Sequence, residues 1–97
     1  MIVGYALLRL HLPAAQSLKD KRQVVRSVLE RVKGRFNVAA AEVGNQSRWQ
    51  LADIGIVCAS TDHAHADALL RAVREYLAES RLDIEVIEVL SDTLTVG

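Results

Sequence analysis

Two stretches of this chain carry apolar residues at helical spacing, and each has only one apolar face. In the first, Leu18, Val25, Val28, Leu29 and Val32 recur along one side; in the second, "STDHAHADALLRAVREYLAES", Ala66, Leu69, Leu70, Val73 and Leu77 do the same. A one-sided helix must bury its stripe against another layer, so the fold has to cover two stripes at once. Alternating segments supply the cover. Ile2 to Leu12 reads as a strand ended by Pro13, "FNVAAAEVG" and "WQLADIGIVCA" read as two strands joined through the polar "NQSR" in a hairpin, and "LDIEVIEVL" alternates cleanly. Ser17 caps the first helix, with Asp20 three residues on in capping-box position, and Gly34 closes it; Ser60, Thr61 or Asp62 caps the second.

The order is therefore strand, helix, strand, strand, helix, strand, without a linker, in a chain of 97 residues that forms one domain, 1–97. The simplest burial of both stripes is an α+β, ferredoxin-like βαββαβ sandwich: a four-stranded antiparallel sheet with both helices on one face. Right-handed crossovers make the strand order 4-1-3-2. In that topology the start of the first helix and the hairpin share one end of the domain, while His63 and His65 lie at the other.

Net charge is zero, but its distribution is uneven. Met1 to Trp49 holds nine Lys/Arg against three Asp/Glu, and Gln50 to Gly97 holds three against nine. A surface segregated in this way can meet a polyanion with one side. The most telling segment is "SLKDKR", Ser17 to Arg22, because it puts Lys19, Lys21 and Arg22 where the unpaired N–H groups of a helix start already carry about half a positive charge. An anion docked there would explain them. Lys19, Arg22, Arg26 and Lys33 also step along one side of the helix. Lys19, Lys21, Arg22, Arg26 and, from the hairpin, Arg48 are the expected anion-binding set. Arg9 and His11, on one face of the first strand, stand at the same end. Glu42, inside the apolar run "NVAAAEV", needs a partner and finds the nearest cations in "SLKDKR", as a structural ion pair rather than a catalytic base. Trp49, the single tryptophan, is expected to pack the hairpin onto the core, and otherwise to offer a stacking or partner-contact surface.

Several function classes drop out. Cys58 is alone, in the setting of a buried small hydrophobe, so no intrachain disulfide forms and a reducing, cytoplasmic location is expected. The apolar start is broken by Arg9 and His11, is no signal peptide, and no segment approaches a membrane span of about twenty residues. In "DHAHAD" the two histidines lie two positions, about 200°, apart on a helix and diverge, against a metal site. There is no Gly-rich phosphate loop, no Ser nucleophile motif and no CxxC, so neither a cofactor nor a catalytic residue is assigned. The third strand, in its stretch "DIGIVCAS", lacks the aromatics with which RNA-recognition sheets stack bases, which disfavours RNA binding by stacking on this sheet.

"SLKDKR", with Ser17, Leu18, Lys19, Lys21 and Arg22 matching S-L-K-x-K-R, and "RFNVAAAEVGNQSRWQ", with Asn37, Val38, Ala41, Glu42, Val43 and Trp49 matching N-V-x-x-A-E-V and its following W, resemble the YlxP-like family over essentially the whole chain. These are small bacterial proteins with a domain of unknown function. Ser47 departs from the Asp that many members carry before the x-W. The resemblance implies a ferredoxin-like fold and, through genes neighbouring those of transcription elongation, translation initiation and a ribosome-binding factor, a role around RNA or ribosome maturation.

The leading expectation is a binding protein that contacts phosphates of structured RNA or a ribosomal particle, positioning on the backbone without reading sequence. Second is a protein-interaction module with an acidic partner, and third a binder or enzyme for a small phosphorylated metabolite. A homodimer is also expected. Val3, Tyr5 and Leu7, or Ile2, Ala6 and Leu8, together with Ala39, Ala41 and Val43, leave the uncovered sheet face partly apolar.

Overall fold

A computed structural model of the chain describes every residue except Leu82. Its elements are β1 (Ile2–His11), α1 (Leu18–Arg35), β2 (Ala39–Gly44), β3 (Leu51–Ser60), α2 (His63–Ser80) and β4 (Glu85–Thr95). All pairings are antiparallel and the sheet order is β2-β3-β1-β4. This is the expected order 4-1-3-2 written from the other edge, so the α+β, ferredoxin-like architecture is the one the chain adopts.

Strand β1 divides the molecule into two faces. Ile2, Gly4, Ala6, Leu8 and Leu10 are buried, and the residues between them are partly exposed. Onto the buried side come Val25, Val28 and Val32 of α1 and Ala66, Leu70, Val73 and Leu77 of α2, which close with Ile54 and Ile56 of β3 into a single core. Each such branched side chain contributes about 1.5–3 kcal/mol on burial, so this layer dominates stability. The other side of the sheet has no layer over it.

The helix starts follow the capping chemistry. Ser17 Oγ accepts from the Asp20 N–H at 3.1 Å, while the Asp20 carboxylate accepts from the Gln16 N–H at 3.0 Å, one residue earlier than in a standard capping box. Asp62, of the three candidates, caps α2 by accepting from the His65 N–H at 2.7 Å.

Strands β1 and β3 lie within two residues of the bounds expected from the sequence, and β4, expected from Leu82, which lies outside the described residues, starts at Glu85; three boundaries differ for a physical reason. Helix α1 runs through Gly34, which stands in open space and closes nothing, and ends where Phe36 turns extended to set its ring edge-on to Tyr76 at 5.6 Å. Strand β2 begins at Ala39 because Phe36 and Val38 are packing against the core ahead of the ladder. Strand β4 continues past Leu90 to Thr95, through a bulge that skips Val89 and restores pairing down to Ile2. No helix among the described residues is long and apolar enough to cross a membrane.

Candidate functional site

The first turn of α1 and the β2–β3 hairpin meet at one end of the sheet, and Lys21 joins them. Lys21 shares the inward side of α1 with Val25, Val28 and Val32, and only 1% of it is exposed. Its ammonium donates to the Asn45 carbonyl and lies 3.0 Å from Glu42 Oε2. Glu42 sits opposite Ile54 on the helix-covered face of β2. The Asn45 carbonyl also accepts from the Arg48 N–H at 3.1 Å, closing a turn in which Asn45 takes the left-handed conformation, φ 59°. The expected structural ion pair of Glu42 with "SLKDKR" is therefore present, with Lys21 as the partner. This corrects the anion-binding set: Lys21 is buried and engaged, and does not face an external anion.

A second ion pair backs the first from the open face. Arg9 Nε donates to Asp53 Oδ1 at 2.8 Å and its Nη2 to Oδ2 at 3.2 Å, a bidentate pair. The hydrogen bond from Arg9 holds the Asp53 carboxyl below its ordinary range; burial opposes this, and the Asn45 side chain and the charges of Arg9 and Lys21 add to it. Gly44 makes the arrangement possible. A Cβ there would stand 2.8 Å from Asp53 Oδ2. Arg9, expected as a supporting cation, is thus a structural residue. Gln50 completes the clamp, donating from Nε2 to the Pro13 and Ala15 carbonyls at 3.2 Å each, while its carbonyl accepts from the Leu12 N–H at 2.9 Å. Asp53 and Gln50 had no role in the sequence reading. The signal for Asp53 was present, an acid in an apolar strand, of the same kind that identified Glu42.

Around this rigid joint the remaining cations point outward. Lys19, Arg22, Arg26, Lys33 and Arg48 are exposed, and among the described residues none of them forms an ion pair. The arginines of the other half behave differently: Arg71 pairs with Asp67, Arg74 with Glu88 and Arg81 with Asp83. Arg22, Arg26 and Lys33, together with Glu30 and Glu42, line an open groove of about 370 Å³ between α1 and β2. A second groove of about 500 Å³ lies at the hairpin, lined by His11, Arg48 and Trp49. Trp49 is 55% exposed, so it does not pack the hairpin onto the core; Gln50 and Lys21 do that work. His11 Nδ1 stands 3.5 Å from Glu85 Oε2.

The two histidines of "DHAHAD" lie at the far end of the sheet. His63 contacts the hydroxyls of Thr93 and Thr95, and His65 that of Ser60, so the two rings diverge as their spacing requires. No group of three or more potential metal ligands occurs among the described residues.

The chain is similar to the uncharacterized protein YlxP of Bacillus subtilis (strain 168), with 33% identity over 76 residues, which is 78% of this chain and 83% of that protein. A family model described as "Protein of unknown function (DUF503)" matches residues 3–91. Covered by that model over nearly its whole length, and by this relative over more than three quarters of it, the chain belongs to the DUF503 family, to which its two motifs pointed.

Proposed function

We propose that this protein is a cytoplasmic accessory factor that binds structured RNA, of the kind found in ribosomal particles, by its phosphates. One observation carries the reading: among the described residues the outward cations of α1 and the hairpin have no ion-pair partners, on a joint fixed by two ion pairs, while the arginines of the second half are neutralised locally. Unpaired cations held along the outer side of α1 and on the hairpin are suited to a phosphate backbone. They form a positioning surface, with Lys19, Arg22, Arg26 and Arg48 as its contacts and no catalytic group. The lone, buried Cys58 agrees with a reducing compartment.

The test is RNA binding across a salt series. Replacing Lys19, Arg22 and Arg26 together by Glu is expected to lower affinity for ribosomal RNA and to flatten the log–log salt slope by roughly two to three, since each lost phosphate contact removes about 0.7–0.9. The paired control, Arg71→Glu with Arg74→Glu, is expected to bind as the unaltered chain does. Equal binding by the two variants removes the RNA reading. Crosslinking in cells that recovers an acidic protein and no RNA replaces it with a protein partner on the same surface.

A further inference from the structure

We infer that the open face of the sheet is the interface of a homodimer whose two-fold axis runs along the strands, between β1 and β3. Register partners in a sheet point to the same side. Arg9 is opposite Asp53 on β3 and Ile87 on β4, so the open face carries the alternate residues of all four strands. It is divided lengthwise. The β1–β4 half carries the larger side chains, Tyr5, Leu7, Ile87, Leu90 and Leu94, with Val3. The β2–β3 half carries smaller ones, Ala39, Ala41, Ala59 and Gly55, among which Val57 and Val43 stand exposed, Val43 laid over Gly55, whose added Cβ would meet it at 3.1 Å.

A two-fold axis along the strands exchanges β1 with β3 and β4 with β2 across the interface. The large half of each copy then rests on the low half of the other, in the reciprocal manner an isologous contact demands. An axis across the strands would set β4 on β4 and large on large. The same rotation brings Arg9 of one copy to the level of Asp53 of the second copy, so the two bidentate pairs meet as a quartet of alternating charge. Asp92, opposite Tyr5 on the edge strand, falls at the rim. Shape and charge therefore select the same axis. Four strands of about eight residues, at 3.3 Å per residue and 4.8 Å between strands, present roughly 500 Å² per copy, or roughly 1,000 Å² for the pair, which reaches what a specific interface needs. Ile87 is 55% and Leu90 47% exposed in the single chain. In this dimer both hairpins and both α1 N-termini lie at the same end.

The experiment is sedimentation equilibrium of the full chain at tens of micromolar. A dimer is expected, with Leu7→Lys and, independently, the half-exposed Leu90→Lys weakening association at least tenfold while circular dichroism stays unchanged. Orientation is read by mixing equal amounts of Tyr5→Cys and Val57→Cys chains, each also carrying Cys58→Ala, with a short bis-maleimide: crosslinks between the two kinds of chain are expected to exceed the sum of those within each kind, which random pairing would only equal. A monomer at these concentrations overturns the inference. So does a dimer that survives both lysine variants but is lost on Val89→Pro, which would place the contact on the β4 edge, and so do dominant Tyr5–Tyr5 crosslinks, which would deny the axis.

Discussion

Replacing Lys21 by Met separates the two meanings that a cation in "SLKDKR" can have. In the folded chain the change leaves Glu42 facing the gap between β2 and α1 without its counter-ion. Among the described residues Glu42 Oε2 has no hydrogen-bond partner, its contact with Lys21 being the ion pair alone. Removing one partner of a buried pair costs about 3–5 kcal/mol. The Glu42 side chain retains 20% exposure, so some water reaches the orphaned carboxylate and the loss falls near the lower limit, about 3 kcal/mol. The Asn45 carbonyl keeps its bond from the Arg48 N–H, which limits the further penalty there to about 0.5–1 kcal/mol. For a chain of this size, 1 kcal/mol moves the melting temperature by about 4–8 °C. A fall of roughly 12–24 °C is therefore expected from the pair alone. The double variant Lys21→Met with Glu42→Leu removes both charges and is expected to recover most of the loss, because a well-packed apolar pair matches or exceeds a buried ion pair. Urea unfolding of the four members of this cycle, with unchanged m values, gives the coupling, expected at about 2 kcal/mol. A Lys21→Met chain that melts within 0.5 kcal/mol (about 3 °C) of the parent and loses RNA affinity would refute the argument, and would return Lys21 to the anion surface.

Three further outcomes can be read from melting curves. Asp53 has its carboxyl held below the ordinary 3.8 by Arg9, so its contribution is complete above that value and lost as pH falls through the lower folded one; the advantage of the parent over Asp53→Asn is expected to be constant from neutral pH to about pH 4 and to shrink below it, and an undiminished gap at pH 2 would deny the pair an electrostatic role. Gly4→Ala would set a Cβ 2.9 Å from Cys58 Sγ and 3.2 Å from Ala66 Cβ, and is expected to cost about 1–3 kcal/mol by prising α2 from β1; Cys58→Ala should relieve part of it in the double variant. Trp49→Ala is expected to change stability by less than about 0.5 kcal/mol, where a tryptophan that packed the hairpin onto the core would cost several times more.

Most of the fold was legible because it rests on period. Apolar spacing of 3.6 and of 2 located both helices and all four strands, the need to cover two helical stripes selected the two-layer sandwich, and the hand of the crossovers selected the sheet order. What escaped were places where the period is interrupted or unnecessary. The bulge at Val89 shifts the alternation of β4 by one residue, which hides its continuation through "SDTLT". Gly34 has helical neighbours on both sides and nothing against it, so its missing Cβ carries no instruction to stop. Asp53 carries the same signal as Glu42, an acid within an apolar strand, but its partner Arg9 is set beside it by the β1–β3 register, which alternation within a single strand does not fix.

The candidate site was half legible, and helix phase explains which half. At 100° per residue, taking Lys21 as zero, Val25, Val28 and Val32 fall within about 40° of it, while Lys19, Arg22, Arg26 and Lys33 fall between about 100° and 160° away. "KDKR" is one cluster in the chain and two in space. Its buried member is a spacer between α1 and the hairpin, fixed by a carboxylate and a carbonyl; its exposed members lie on a single narrow arc that the joint holds still. This division also answers why cations crowd a helix start that disfavours them. Lys21 has Glu42 and the Asn45 carbonyl close by, and Asp20 offsets the first turn from within the cap. The electrostatic cost left over falls on Lys19 and Arg22, the two cations of the turn with no ion-pair partner among the described residues. An exposed cation held against a helix dipole without a local counter-charge gains most from an anion that arrives from outside, so binding to these two residues and the stability of α1 are expected to rise together: phosphate-bearing RNA should raise the melting temperature of the parent chain and leave that of the Lys19→Glu, Arg22→Glu, Arg26→Glu chain unmoved.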